Sequence, residues 1–490
     1  MARVVAGPKR AAMDPLKHSQ ALGGVLAFLG VAGCMPLLHG PQGCSAFAKA
    51  LLTRHFREPV PLQTTAVTEV SAVLGATESL LAALATVTER HRPQVIGVLT
   101  TGVTEVCGED LAGALRTYRA GAPAGGPLVV AASTPDFHGG LSDGWSAALT
   151  ALVTATVAGA APVAGRDRAA GDAPGPGGPS GPAGWASGAV GPGAVDPGLV
   201  AVLAGPSLTA VDLDEIAGLV RGVGLRPVLV PDLSGSVDGH LADGWSPLTT
   251  GGTTVADLGR LPAAGTVCTV GAAAGPAGAA LAARSGAVLS GHDHLSGLAA
   301  VDAFVAGLLA VARDRSGGRA VVSERIRRWR ARLADGLLDS HFVLGGARVA
   351  VAGEPEFLVA VSSLLAGAGA EVVAAVSATD ADVLRRAPCA EVVVGDLVDL
   401  ADRAGDAGAE LVVAGSHARD LAAGIGAAHL VAGFPVHDRL GVQLRATAGY
   451  RGSLQFLVDA GNELLEHRRH GSRPGPDPTG SDALWRGVPC

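Results

Sequence analysis

Short apolar segments alternate with helix-like segments through most of this 490-residue chain. VIGVLT at Val95–Thr100, LVVAA at Leu128–Ala132 and RVAVA at residues 348–352 have the length and the branched side chains of buried strands. Residues 209–223 and 355–366 have the longer apolar pattern that is typical of helices. Strands that alternate with helices favour parallel sheets with helices on both faces. We therefore predict an α/β fold of doubly wound parallel sheets, repeated along the chain.

The chain is too long for one hydrophobic core of ordinary size. Residues 165–198 interrupt the alternation with a segment dense in Gly, Pro and Ala, which cannot bury enough surface to become ordered. We predict a disordered insertion there. It separates an N-terminal α/β domain at residues 1–164 from a middle α/β domain at 199–345, and a C-terminal α/β domain follows at 346–467. The Gly- and Pro-rich residues 468–490 are predicted to be a flexible tail.

Composition and cysteine spacing exclude several classes of protein. A net charge of −7, 17% charged residues and 3% aromatic residues give no indication of a nucleic-acid or anionic-membrane partner. The six cysteines contain no C-x-x-C pair, which argues against a zinc ribbon, a thioredoxin-type site and a ferredoxin cluster held by this chain alone. They form no disulfide framework, which favours a reducing cytoplasm. We predict packing or surface roles for Cys107, Cys268, Cys389 and Cys490.

An apolar segment near the N-terminus raises the question of targeting. Residues 21–33 are too short and too rich in glycine for a membrane span. Residues 31–34, VAGC, imitate a lipoprotein cleavage box, but the sequence continues as an apolar, Gly-rich segment rather than as a polar linker. We therefore predict a buried helix, with Cys34 just past its end.

The candidate metal ligand is Cys44, in the sequence GCMPLLHGPQGCSAF at residues 33–47. A glycine-rich loop lets the backbone approach a bulky inorganic cluster, and a helix predicted at residues 45–53 would lower the pKa of the thiol. One thiol cannot hold an iron–sulfur cluster, which typically takes four protein ligands. The remaining ligands must come from elsewhere.

Other polar residues are weaker candidates. His39 is either a structural turn residue, which we favour, or a hydrogen-bond donor to a cluster sulfur. The carboxylates within residues 105–110 are predicted to cap the next helix. His-Asp-His at 292–294 is predicted to be a solvated loop, because its spacing does not suit one helical face. The arginines of residues 325–332 are predicted to form a solvated helix face or, alternatively, to meet an acidic partner. No dinucleotide or Walker-A fingerprint is present, and Glu354 would repel a pyrophosphate at the one candidate loop.

Several motifs in a fixed order carry a family resemblance. They are DPLKHSQ (14–20), HGPQGC (39–44), PLQTT (61–65), TTGVTEVCGED (100–110), TPDFHGGLSDGW (134–145), PDLSGSVDGH (231–240), GGTT (251–254), GFPVHDRLG (433–441) and GYRG (449–452). On these motifs the sequence resembles the β-type branch of the nitrogenase component 1 family. The resemblance spans about residues 15–467, without the predicted insertion.

The resemblance implies three Rossmann-like α/β domains and an α2β2 heterotetramer in which this chain pairs with a NifE-like α-type subunit. In the catalytic β subunit of the family, an interfacial cluster takes cysteines from three segments. The matching positions in this sequence are Ser19, Cys44 and Gly102. Only Cys44 keeps a thiol. Cys107 lies five residues past Gly102 and does not align with the missing ligand.

By resemblance, a single thiol implies one ligand to a smaller [4Fe–4S] cluster that three partner cysteines complete. The implied function is that of a non-enzymatic scaffold on which the iron–molybdenum cofactor precursor of nitrogenase is matured, with NifB as precursor donor and the NifH iron protein as docking reductase. The complex would hold that precursor transiently. The alternative is the β subunit of a catalytic nitrogenase or porphyrin-type ring reductase; Ser19 and Gly102 argue against the nitrogenase version. A third hypothesis, an unrelated small-molecule-binding α/β protein, does not explain the ordered motifs.

Overall fold

The computed structural model describes most of the chain, namely residues 1–9, 12–121, 125–157, 195–241 and 244–471, with the backbone alone at 470 and 471. The predicted insertion lies outside the described residues as far as residue 194, and the predicted tail lies outside them from residue 472. The part of each segment that the structure describes is ordered, so the predicted insertion ends too late and the predicted tail begins too early. Residues 196–198 begin a strand and residues 468–471 end a helix.

The N-terminal third of the chain contains, in order, β1 (Arg3–Ala6), α1 (Gln20–Leu29), β2 (Cys34–His39), α2 (Gln42–Phe56), β3 (Gln63–Thr64), α3 (Glu69–Leu74), α4 (Thr77–His91), β4 (Val95–Thr100), α5 (Gly102–Val106), α6 (Leu111–Gly121), β5 (Leu128–Ala132) and α7 (Leu141–Val157). The first sheet has four parallel strands in the order β3-β2-β4-β5. Strands β2 and β4 are buried throughout, as expected for a parallel sheet that is covered on both faces.

The middle of the chain contains β6 (Asp196–Ala204), α8 (Ala210–Arg221), β7 (Arg226–Val230), α9 (Val255–Arg260), β8 (Ala264–Val270), α10 (Gly275–Ser285), β9 (Val288–His292), α11 (Leu298–Ser316) and α12 (Glu324–Leu344). The second sheet is parallel, in the order β7-β6-β8-β9. A capping box starts α8: the Thr209 hydroxyl accepts the amide hydrogen of Asp212, and the Asp212 carboxylate accepts that of Thr209.

The last third contains β10 (Arg348–Gly353), α13 (Pro355–Gly367), β11 (Glu371–Ser377), β12 (Glu391–Val394), α14 (Leu397–Asp406), β13 (Leu411–Ala414), α15 (Arg419–Gly424), β14 (Ala428–Val431) and α16 (Gly449–Gly471). The third sheet has the order β1-β12-β11-β10-β13-β14. Strand β1 pairs in parallel with β12, although the sequence places residues 3–6 in the N-terminal domain. Its four residues are too few to show a strand pattern.

The predicted fold class is confirmed, because three parallel sheets are flanked by helices. The prediction at Cys44 was wrong in one respect. The helix expected from residue 45 begins at Gln42, so Cys44 lies in the first turn of α2 rather than on a loop. Pro41 and Gly43 indicated a loop, but Pro41 is the N-cap of α2 and an added Cβ at Gly43 would meet no atom within 4 Å. Both residues are compatible with the start of a helix.

The apolar segment near the N-terminus forms the buried helix α1, which has ten residues. Cys34 follows it as the first residue of β2 and is buried. Among the helices that the structure describes, none combines the length and the apolarity needed to cross a membrane.

Helices α1 and α7 pack against each other through glycines. A Cβ atom at Gly23 would lie 1.9 Å from the carbonyl oxygen of Leu141, and one at Gly144 would lie 1.8 Å from that of Gln20. Only glycine permits two backbones to approach so closely. Because Ser19 is the N-cap of α1, this contact also fixes where α1 begins.

We expect Gly144→Ala to lower the apparent Tm, because overpacking a tight contact costs about 1–3 kcal/mol. The matched control is Gly218→Ala in α8, where an added Cβ would meet no atom within 4 Å. Alanine is the better helix former by about 0.5–1 kcal/mol, so the control should keep or raise Tm. Thermal unfolding followed by circular dichroism measures both variants. Equal Tm values for the two variants would contradict the close contact.

Candidate metal centre

The carboxyl ends of the strands of the first sheet lie along one edge, because all four strands are parallel. Cys44 follows β2 in the first turn of α2, and Gly102 follows β4 as the first residue of α5. Asp136 follows β5 in the connection to α7. In open parallel sheets, ligands bind at this edge. The topology therefore brings together residues that are far apart in sequence.

The Cys44 thiol is half-buried and unpaired with another cysteine. Burial raises its pKa above the ordinary value, and the negative charge of Asp136 raises it further. Its own backbone amide lowers the pKa, but by less. The predicted lowering by the backbone at the helix N-terminus is therefore present, but desolvation of the thiolate outweighs it and the pKa of Cys44 lies above its ordinary value.

Asp136 connects the three segments that the resemblance brings together. The backbone amides of Gln20, Ala21 and Gly102 stabilise its carboxylate, while burial raises its pKa by more. A Cβ atom at Gly102 would lie 3.6 Å from the Cβ of Asp136. Ser19 precedes Gln20 and caps α1 by accepting the amide hydrogen of Leu22. The start of α1, the start of α5 and Cys44 therefore meet around this one carboxylate.

Sequence reasoning did not identify Asp136. Its signal was available in the motif TPDF, where a carboxylate lies shortly after a predicted strand. Since the carboxyl ends of parallel strands share one edge, that position could have been placed beside Cys44. Its role depends on the backbone amides of Gln20, Ala21 and Gly102, which are distant in sequence.

Among the residues that the structure describes, Cys44 has no companions for a complete metal site. Within the described ranges, no group of three or more His, Cys, Asp or Glu side chains could hold a metal ion. Cys107 is exposed at the end of α5. Cys34 and Cys268 are buried, and burial raises the pKa of Cys268 to about 12. These thiols fit the packing and surface roles that the sequence predicts.

Exposed apolar side chains cluster on the segments that follow the four strands of the first sheet. We call this set the Cys44 surface, and its members are Phe47, Val70, Val73, Leu74, Val103, Val106 and Phe137. Phe47 on α2 is 82% exposed and Val73 on α3 is 85% exposed. Exposed apolar side chains that gather at one edge of a sheet are a candidate interaction site.

The weaker candidates near Cys44 have structural partners. His39 is buried, and its Nδ1 lies 3.0 Å from the hydroxyl of Thr65. Asp110 accepts the amide hydrogen of Gly113 at 2.8 Å at the start of α6. Glu109 instead caps the start of α4, where it accepts the amide hydrogen of Ala76 at 2.5 Å. The predicted cap of the next helix is confirmed for Asp110, whereas the prediction for Glu109 was wrong because its carboxylate binds the start of α4.

Glu105 does not act as a helix cap. Its carboxylate accepts hydrogen bonds from the hydroxyls of Thr100, at the end of β4, and Ser133, just after β5. It therefore connects two neighbouring strand ends of the first sheet, on the same edge as Cys44.

The two remaining candidates lie in the middle third of the chain. His292 ends β9, Asp293 pairs with Arg386 at 2.9 Å, and the Nδ1 of His294 accepts the amide hydrogen of Ser296 at 3.2 Å. The prediction of a solvated loop was wrong for this trio, because His292 belongs to β9 and all three residues are partly buried. The arginine run is helical, and three of its members form ion pairs within the chain: Arg325 with Glu215 at 3.1 Å, Arg327 with Glu324 at 2.6 Å and Arg330 with Asp302 at 2.8 Å.

We expect Asp136→Ala to loosen the starts of α1 and α5. The amides of Gln20, Ala21 and Gly102 would lose their carboxylate partner, and an orphaned buried donor costs about 1–3 kcal/mol. Hydrogen–deuterium exchange should therefore become faster at these three amides. Asp136→Asn is the matched control, because its side-chain oxygen still accepts hydrogen bonds and should preserve most of the protection. Unchanged exchange in the alanine variant would show that Asp136 does not organise the site.

Comparisons with known proteins identify the family of this chain. The family model of nitrogenase component 1 type oxidoreductases matches residues 19–465. The chain is 37% identical to the nitrogenase iron-molybdenum cofactor biosynthesis protein NifN of Bradyrhizobium diazoefficiens, over 100% of this chain and 96% of that relative. It is 40% identical to NifN of Rippkaea orientalis, over 94% of this chain and 96% of that relative.

A solved structure of nitrogenase Cp1 at pH 6.5 has the same fold. It matches with a TM-score of 0.81 and 24% identity, over 96% of this chain and 97% of that chain. The sequence family, the relatives and the fold therefore agree, and the chain belongs to the nitrogenase component 1 type oxidoreductase family.

Proposed function

We propose that this chain is a subunit of a scaffold complex on which the iron–molybdenum cofactor precursor of nitrogenase is matured. The observation that carries the proposal is a single thiol, Cys44, on an exposed apolar surface, with no complete metal site among the described side chains. The relatives named above, which cover nearly the whole chain, are cofactor biosynthesis proteins by name. Assembly rather than autonomous catalysis is the proposed role.

Cys44 contributes one thiolate to an interfacial [4Fe–4S] cluster, and three cysteines of the partner complete the set. The two other ligand positions support this assignment. Gly102 has no side chain, and the Ser19 hydroxyl accepts the amide hydrogen of Leu22 as the cap of α1. Neither residue supplies a thiolate, so this side of the interface cannot supply the ligands of a larger cluster.

Coordination requires the deprotonated thiol, and the chain by itself disfavours that form. Burial and the charge of Asp136 both raise the pKa of Cys44. Iron supplies positive charge to the site when a cluster is bound and thereby favours the thiolate. The Cys44 thiol therefore loses its proton as it becomes a ligand.

The proposed partner is a NifE-like α-type subunit in an α2β2 heterotetramer. The Cys44 surface supports this contact, because it exposes Phe47, Val73 and Phe137 on segments that follow the strands of the same sheet edge as Cys44. Burial of such a surface on association is favourable. In this proposal NifB delivers the cofactor precursor, the complex holds it transiently and the NifH iron protein docks, all in the cytoplasm.

A catalytic β subunit is the second candidate. The fold that the chain shares with nitrogenase Cp1 favours it, whereas the absence of thiols at Ser19 and Gly102 argues against a nitrogenase. Acetylene reduction by the complex at nitrogenase-like rates would support the catalytic alternative and contradict the scaffold.

We expect Cys44→Ala to remove the interfacial cluster from the coexpressed complex, because the other residues near Cys44 offer no replacement thiol. The electron paramagnetic resonance signal of the reduced [4Fe–4S] centre and the iron content should both fall. The matched control is Cys107→Ala, which removes an exposed thiol at the C-terminal end of α5. This variant should leave the signal and the iron content unchanged. A full signal in Cys44→Ala, or a loss in the control, would refute the assignment.

We expect Phe47→Asp to weaken association with the α-type partner about tenfold or more, because a charge would have to be desolvated within an apolar interface. Phe47 is 82% exposed, so the isolated chain should keep its Tm. The control is Val321→Asp, at a residue that is 68% exposed on the connection between α11 and α12. Sedimentation of the purified complexes measures the dissociation. Equal affinities for the two variants would place the partner elsewhere.

A further inference from the structure

A cavity of about 90 Å³ lies where the three parts of the chain meet. Its walls include Leu26 from α1, His55 and Phe56 from the end of α2, Ser207 after β6, and Glu354 at the start of α13. Cys44 and His55 are eleven residues apart on α2, which is about 16 Å along a helix axis. The cavity is therefore separate from the candidate metal centre.

Three polar atoms in the cavity wall are buried without hydrogen-bond partners. They are Oε1 of Glu354, Oε1 of Gln443 and Oγ of Ser207. Glu354 is only 6% exposed and Gln443 only 8% exposed. An unsatisfied buried polar atom costs about 1–3 kcal/mol. Three such atoms from three separate segments around one space indicate that something bound there satisfies them.

The charges around the cavity disfavour an anion. The guanidinium of Arg445 donates hydrogen bonds to the Asp459 carboxylate at 2.5 Å and to the carbonyl oxygen of Val431 at 3.2 Å. His55 accepts the amide hydrogen of Val436 through Nδ1 at 2.9 Å, and burial lowers its pKa to about 3, so the ring is neutral. Glu354 accepts a hydrogen bond from the Ser142 hydroxyl at 3.0 Å, and burial raises its pKa to about 7.

Aromatic rings supply much of the remaining wall. Phe56, Phe357, Phe434 and Phe456 all line the cavity. A water molecule needs about 10–15 Å³ of such volume, so the space accommodates a molecule of roughly six to nine non-hydrogen atoms. Apolar walls with a few convergent polar groups are typical of small-molecule sites.

We propose that this cavity binds a small uncharged molecule that combines an apolar body with a hydrogen-bonding head, such as a primary amide. The N–H groups of the amide donate to the free oxygens of Glu354 and Gln443, and its carbonyl accepts from the Ser207 hydroxyl. The apolar body packs among the phenylalanine rings. This site does not depend on Cys44 or on the proposed function.

Fluorine NMR of the full-length protein tests the proposal with two probes of equal size, trifluoroacetamide and trifluoroacetate. The amide should bind and show broadened, shifted resonances, whereas the anion should not. Gln443→Leu should weaken amide binding about tenfold, because the variant loses one hydrogen bond and a tenfold change in affinity corresponds to about 1.4 kcal/mol. Ser207→Ala is a smaller structural change, and it should also weaken amide binding.

The control is Gln94→Leu, which alters an exposed glutamine outside the cavity and should leave amide binding unchanged. Circular dichroism establishes that each variant is folded. The proposal is overturned if the anion binds as tightly as the amide, or if neither Gln443→Leu nor Ser207→Ala changes amide binding. Absence of amide binding to the unmodified chain also overturns it and leaves a water-filled cavity.

Discussion

Parallel pairing of β2, β4 and β5 is the constraint on which the candidate site depends. It places the carboxyl ends of these strands at one edge, so Cys44, Gly102 and Asp136 converge although almost a hundred residues separate the first from the last. The glycine contacts between α1 and α7 then bring the start of α1 to the same place. The site is therefore a product of the sheet topology rather than of any local motif.

The electrostatics of this edge suit a site that is completed from outside. Two acidic groups, the Cys44 thiol and the Asp136 carboxyl, lie together where burial raises the pKa of each. Three backbone amides partly stabilise the carboxylate, whereas the thiolate has little support from the chain. Positive charge and additional ligands have to arrive with a cluster and a partner, and the exposed apolar side chains provide the surface for that partner.

The fold class and the strands β4 and β5 were predictable because buried parallel strands appear in the sequence as short runs of apolar residues. Strand β1 was not, since a four-residue segment gains its structure only by pairing with β12, almost 390 residues away. The start of α2 was misplaced because Pro41 and Gly43 are compatible with both a loop and a helix N-terminus. At the site, the motif that contains Cys44 was visible, but the upward shift of its pKa and the role of Asp136 depend on burial and on contacts between distant segments.

The central claim is that this chain supplies one ligand, the Cys44 thiolate, to a cluster shared with its partner. Anomalous diffraction at the iron edge from crystals of the coexpressed complex tests it most directly. We predict a cluster of about four iron atoms at the subunit interface, with the Cys44 sulfur as its sole ligand from this chain. A larger cluster bound by further residues of this chain, or no iron density beside Cys44, would contradict it.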